Sequence, residues 1–206
     1  LFAQASVAKA VFGAQQPLVF LGLALVITLS VGEFDLSFAG IFGFAATVVP
    51  AMVLLHGWPV VAAVAAAFLG ALVLGLINAV LGVVVGINSV IVTLGVTSVA
   101  TGSAYFLSDS TAVSGLDPAL SQIALGQFLG LPYLFWYGLA LVLVAAYVMS
   151  FTPLGRAMVF VGSNREVARL AGIDVQLFSF LAYLVSALLC ALAGTLVAFA
   201  LGGFDP

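Results

Sequence analysis

Apolar residues run along this chain in long stretches separated by short polar breaks. No Asp, Glu, Lys or Arg occurs from Leu36 to Ser108, a gap of 73 residues. Further uncharged gaps run from Ala10 to Gly32, from Pro118 to Gly155 and from Val175 to Phe204. A helix crosses the hydrocarbon core of a bilayer with roughly 20 apolar residues. The long gap therefore holds three spans, and each of the others holds one. His56-Gly57-Trp58-Pro59 and Gly86-Ile87-Asn88-Ser89 divide the long gap, the first with an aromatic ring at interfacial depth. The pattern predicts spans near 12–31, 37–55, 59–86, 89–107, 133–151 and 177–203. Stretches such as Ala62 to Leu76 do not alternate with period two, which argues against strands of a barrel. A helix closes its backbone hydrogen bonds within itself, as hydrocarbon requires. The expected fold is all-α, a polytopic transmembrane helical bundle of about six spans.

Composition points the same way. Hydrophobic residues make up 65% of the 206 positions and charged residues 5%, against roughly 25% charged in soluble domains. Eleven charged side chains cannot build a polar skin, which excludes a soluble globular enzyme. One Cys, Cys190, excludes an intrachain disulfide and a cysteine cluster for a metal. One His, His56, excludes a multi-histidine zinc site; both residues read as structural. The single Lys, Lys9, follows Ala8, so the glycine-rich phosphate loop ending in Gly-Lys is absent. Four basic residues cannot form a nucleic-acid surface. The chain begins at Leu1 rather than Met and reads as a piece of a longer protein.

Arg156, Arg165 and Arg169 cluster between residues 152 and 176. The excess of basic residues in cytoplasmic loops places that loop, and the break at 86–89, in the cytoplasm. Asp109, Asp117 and His56 then lie outside, and Lys9 is a mild exception. Gly82 and Gly86, Gly40 and Gly43, Gly70 and Gly75, and the Ala62–Ala67 run offer small surfaces for close helix packing.

Two groups of polar residues lie inside this apolar frame. Glu33 and Asp35 sit between two spans with almost no loop, where a carboxylate is expensive and tends to be paired or functional. Asp35 and Ser37 are also suited to cap the helix that follows. Asn78, Asn88, Ser89, Thr93, Thr97, Ser98 and Thr101 are scattered over consecutive spans. Thr93, Thr97 and Thr101 recur every four residues and share one helix face. That face either lines a path for a neutral polar solute or returns its hydroxyls to carbonyls of its own helix.

The loop 152–176 carries the strongest local signal. Asn164 is a good N-cap, Glu166 lies in the first turn where the helix dipole favours negative charge, and Gly172 can close the helix in a left-handed conformation. Between them lie about seven helical residues, about 10 Å of helix. Val167, Leu170 and Ala171 form a small apolar face, with Arg165 and Arg169 on another. Such an element suits docking into a groove of a soluble partner.

The loop resembles the coupling-helix region of the permeases of bacterial ABC sugar importers, the ribose, xylose, arabinose and galactose group. The similarity is carried by Thr152, Gly155, Arg156, Gly162, Asn164, Ala168, Ala171, Gly172, Ile173 and Val175, with departures at Phe160 and Val167. Gly32-Glu33-Phe34-Asp35-Leu36-Ser37 resembles a further motif of that family, with Glu33 where a Gly is usual. Gly75-Leu-Ile-Asn78, Val90-Ile-Val-Thr93-Leu-Gly95 and Leu201-Gly-Gly-Phe-Asp-Pro206 resemble others, with Asn88-Ser89 in place of a proline-bearing stretch.

The resemblance implies one transmembrane permease domain over 1–206, in a multi-pass protein of the bacterial inner membrane, with further helices expected at both ends. It implies an ABC ATPase that holds ATP-Mg, while this chain binds no cofactor and no metal and is not itself an enzyme. It implies a second permease chain, identical or paralogous, and a periplasmic or extracellular solute-binding protein. Asn164, Glu166, Val167, Ala168, Leu170, Ala171 and Gly172 would couple to the ATPase. Asp35, Ser37, Asn78, Asn88, Thr93, Thr97 and Thr101 would line the translocation path. The rival is a proton- or ion-coupled secondary transporter using Glu33 or Asp35. The residues do not specify the solute.

Overall fold

A computed structural model describes residues 16–205. Lys9, the first residues of the expected span 12–31, and Pro206 lie outside them. Among the described residues, four helices are long and apolar enough to cross a membrane: Val60–Val84, Ser89–Leu107, Tyr133–Phe151 and Val175–Leu201. Two shorter apolar helices, Pro17–Ser30 and Phe38–Leu54, accompany them. The apolar helices from residue 38 onward begin and end within two residues of the expected spans, but four of them rather than five reach the length and hydropathy of a membrane span, so the expected count of about six is not confirmed.

In chain order the helices are α1 (Gln16–Ser30), α2 (Phe38–Leu54), α3 (Val60–Ala79), α4 (Ser89–Leu107), α5 (Pro118–Leu125), α6 (Tyr133–Phe151), α7 (Pro153–Ser163), α8 (Arg165–Leu170) and α9 (Val175–Leu201). A π-helical turn, Val80–Val84, extends α3. Two short antiparallel ribbons join Val113–Ser114 to Gly203–Phe204 and Gln127–Phe128 to Leu131–Pro132.

The region 152–176, expected to carry one short helix, holds two. Thr152 accepts a hydrogen bond from the Gly155 amide at 3.3 Å, and Pro153 occupies the first turn, where its missing N–H costs nothing. This Thr-Pro start signal makes α7. The region 108–132 likewise contains α5, capped by Asp117 through the Ala119 amide at 2.8 Å.

Helix α9 is the centre of the bundle and packs against α1, α2 and α3. Helix α4 packs on α2, and α6 on α1 and α7. Lipid supplies no hydrophobic drive for helix association, so close approach matters. A Cβ on Gly194 of α9 would overlap the Phe42 carbonyl oxygen of α2. A Cβ on Gly40 of α2 would come within 2.9 Å of the Thr97 Cα of α4. The Gly82/Gly86 pair behaves differently from its spacing. Gly86 takes φ +83° at the end of the π turn and meets nothing, while Gly82 lies beside the Tyr183 hydroxyl. The local break in the helix leaves Gly82 against α9 and turns Gly86 away from it.

The outer surface is apolar, with Val61 82% and Phe106 81% exposed, as suits contact with hydrocarbon. The polar breaks divide between two ends. Residues 32–33, the break at 86–89, Arg165, Arg169 and the start of α9 border one cleft at the basic end. His56 and Asp109 share a hollow at the other end.

Candidate functional site

The site is built on the break between α1 and α2. Glu33 N–H returns to the Thr28 carbonyl at 3.0 Å and Gly32 N–H to Leu29 at 2.9 Å. Gly32 takes φ +77°, which turns the chain out of the helix. Residues 33–36 then run without helical bonds, and within a membrane those free backbone groups need partners.

Helix α4 supplies them. Leu36 N–H donates to Thr93 Oγ1 at 3.1 Å, and Thr97 Oγ1 donates toward the Leu36 carbonyl at 3.0 Å. Phe34 N–H lies 3.4 Å from Ser89 Oγ. Both threonines also return to their own helix, Thr93 to the Ser89 carbonyl and Thr97 to the Thr93 carbonyl, each at 2.8 Å. The hydroxyls thus bond back to their own helix, one of the two expected alternatives, and also serve the broken segment. Thr101 is exposed further along α4, and Asn88 is an exposed N-cap that accepts from the Val90 amide at 3.0 Å.

Asp35, Ser37 and Asn78 come together in the interior, at 1%, 0% and 1% exposure. Asp35 Oδ1 accepts from the Ser37 amide at 2.8 Å and from its hydroxyl at 2.6 Å. Asn78 Nδ2 donates to Ser37 Oγ at 2.7 Å. Asp35 Oδ2 accepts from Ser186 Oγ of α9 at 3.0 Å. The buried carboxylate thus ties the break, at the start of α2, directly to α9 and through Ser37 to α3. Ser37 occupies the N-cap position without a side-chain bond to its own helix; the oxygen that meets its amide belongs to Asp35.

Glu33 points to the basic end. Its Oε1 is ion-paired with the Arg165 guanidinium, and its Oε2 accepts from the Tyr183 hydroxyl at 3.2 Å. Arg165 also donates to the Val31 carbonyl at 3.3 Å. Beside this pair lies a polar cleft of about 380 Å³ bordered by Gly86, Asn88, Arg165, Arg169 and Ser179.

Arg165 opens α8, which has the caps its residues predict. Asn164 Oδ1 accepts from the Val167 amide at 3.1 Å, and Gly172 takes φ +79° while its N–H meets the Arg169 carbonyl. Ala168 is fully buried against the bundle, in a cluster with Val31, Val161, Val175 and Ala182. Val167, Leu170, Ala171 and Glu166 are exposed, Leu170 at 88%. The apolar face expected for a partner is therefore outward, and Ala168 alone of the seven named residues is an anchor to the membrane helices.

The sequence reading does not single out Ser186 or Tyr183, and it names Glu33 without its partner Arg165. A signal existed, since Ser179, Tyr183 and Ser186 recur at spacings of four and three in an otherwise apolar span and so share a face.

Residues 9–206 match the sequence profile of the family described as branched-chain amino acid transport system / permease component. The chain is 31% identical over 186 residues to the L-arabinose ABC transporter permease protein AraH of Azospirillum brasilense, covering 90% of this chain and 55% of that protein. It is 32% identical over 112 residues to the L-arabinose transport system permease protein AraH of Escherichia coli (strain K12), covering 54% of this chain and 34% of that one. It is 26% identical over 192 residues to the autoinducer 2 import system permease protein LsrC of Photorhabdus laumondii, covering 93% and 57%. The chain thus spans about half the length of these relatives or less. No solved structure matches.

Proposed function

The chain belongs to the branched-chain amino acid transport system / permease component family, and from that premise we propose that it is the membrane half of an ATP-driven importer of a sugar or similar polyhydroxylated solute. It is a multi-pass membrane protein. In the proposed assembly α1 and α2 complete six spans, the basic end faces the cytoplasm, and α8 docks on a separate ATPase that holds ATP-Mg. A second permease chain and an external solute-binding protein complete the importer.

The observation that carries this function is the build of α8. Ala168 roots it in the bundle, while Leu170 and Val167 stand exposed beside it. An apolar face at the polar end of a membrane protein suits a soluble partner. The sugar class follows the two L-arabinose permeases above. The ion-coupled rival loses support because both carboxylates are engaged: Glu33 with Arg165 and Tyr183, Asp35 with Ser37 and Ser186.

The test is uptake of radiolabelled L-arabinose into liposomes that hold the full-length chain, its ATPase and its solute-binding protein. Uptake that needs ATP on the ATPase side and survives a protonophore supports the proposal. Uptake without ATP, abolished by the protonophore, contradicts it.

A further inference from the structure

We propose that Glu33 is a positioning residue that carries displacement of α8 to the buried Asp35 cluster, acting through Arg165 on one side and Tyr183 on the other. The proposal rests on the coupling function above and names the side chains that transmit it.

Three observations carry it. First, the attachment of α8 to the bundle is of two kinds. Ala168 packs apolarly, a contact with no direction. Arg165, the first residue of α8, reaches the break directly, with its guanidinium on Glu33 and on the Val31 carbonyl. A charged hydrogen bond constrains distance and angle as apolar packing does not. Second, Glu33 is 5% exposed, while the Arg165 side chain is 44% exposed. The carboxylate is committed to the interior and the guanidinium can move with its helix into the adjacent cleft. Third, Glu33 and Asp35 are two residues apart on one extended segment, about 7 Å of chain. Tyr183 and Ser186, one turn apart on α9, hold one carboxylate each. Movement at Arg165 therefore reaches Asp35 through a short covalent link already fastened to α4 and α9.

The test uses the full-length permease assembled with its ATPase in nanodiscs. A cysteine at Phe34, 45% exposed at the break, reports by its rate of maleimide labelling with and without ATP and vanadate. The expected change in the F34C background is at least about fivefold, the lower end of allosteric couplings. Glu33→Gln abolishes this change although the ATPase stays bound, Tyr183→Phe reduces it, and the exchanged pair Glu33→Arg with Arg165→Glu restores it. Thermal unfolding of each variant separates lost transmission from lost folding, and Tyr183→Phe and the exchanged pair carry the test if Glu33→Gln does not fold. An unaltered ATP-dependent change in Glu33→Gln or, where that variant does not fold, in Tyr183→Phe would overturn the proposal and leave the coupling function standing. So would a break that does not respond to ATP in the F34C background. Absence of any bound ATPase would overturn the coupling function itself, and this proposal with it.

Discussion

Asn78 donates its amide to the Ser37 hydroxyl, and this bond sets which way the Asn78 side chain is turned. Ser37 has a single hydroxyl proton and gives it to Asp35 at 2.6 Å, so its oxygen can only accept from Asn78. The Asn78 carbonyl oxygen is left buried without a partner, a state that costs about 1–3 kcal/mol. Asn78→Leu removes the donor and the orphaned acceptor together. It is expected to change stability by less than about 1 kcal/mol, because interhelical hydrogen bonds in membranes average about 0.6. Asn78→Asp sets a second carboxylate against an oxygen that needs a donor, and is expected to lose several times more. Thermal unfolding of the full-length chain in detergent measures both.

The close crossing of α2 and α9 gives a paired test. Gly194→Val would drive its side chain into the Phe42 backbone, whereas Gly43, also on α2, has nothing within 4 Å of an added Cβ. Gly194→Val is expected to cost about 1–3 kcal/mol or to prevent folding. Gly43→Ala is expected to leave stability unchanged or raise it by up to about 1 kcal/mol through helix propensity. Yields of folded, monodisperse protein and unfolding temperatures check the contrast.

Two residues of α8 should separate by what they touch. Ala168→Trp forces a large ring into a buried cluster at the root of the helix, so it should lower the unfolding temperature as well as any coupling. Asn164→Ala loses the cap on the Val167 amide, about 1 kcal/mol. Amide exchange should then quicken across Arg165–Leu170 while the core of α9 stays protected.

The positions of the apolar helices were legible in the sequence because membrane insertion depends on long runs of apolar side chains, and those runs are visible one residue at a time. The caps of α8 were legible for a similar reason: Asn164 and Gly172 act on backbone groups within their own turn. The pairings of Glu33 with Arg165 and of Asp35 with Ser186 were not. They join residues 132 and 151 positions apart, and their geometry depends on how α8 and α9 pack, which no local pattern encodes. The threonine ladder was half legible. Its common face followed from spacing, but its use followed from the break at 33–36, whose free backbone groups only the folded chain sets beside α4. Helix α7 has a local start signal in Thr152-Pro153, but it follows the apolar helix α6 after a single residue, so the hydropathy pattern shows no boundary between them.

In the proposed assembly α8 docks a separate ATPase through its exposed apolar face. The most direct measurement is affinity purification of the tagged full-length chain from its native membrane in mild detergent, wild type beside Leu170→Glu. Leu170 is 88% exposed, so its substitution should alter stability by no more than about 0.5 kcal/mol. The account predicts that an ABC ATPase is recovered with wild type and lost with equally folded Leu170→Glu. Recovery of the same ATPase with both would contradict docking through this face, and recovery with neither would contradict the ATP-coupled function.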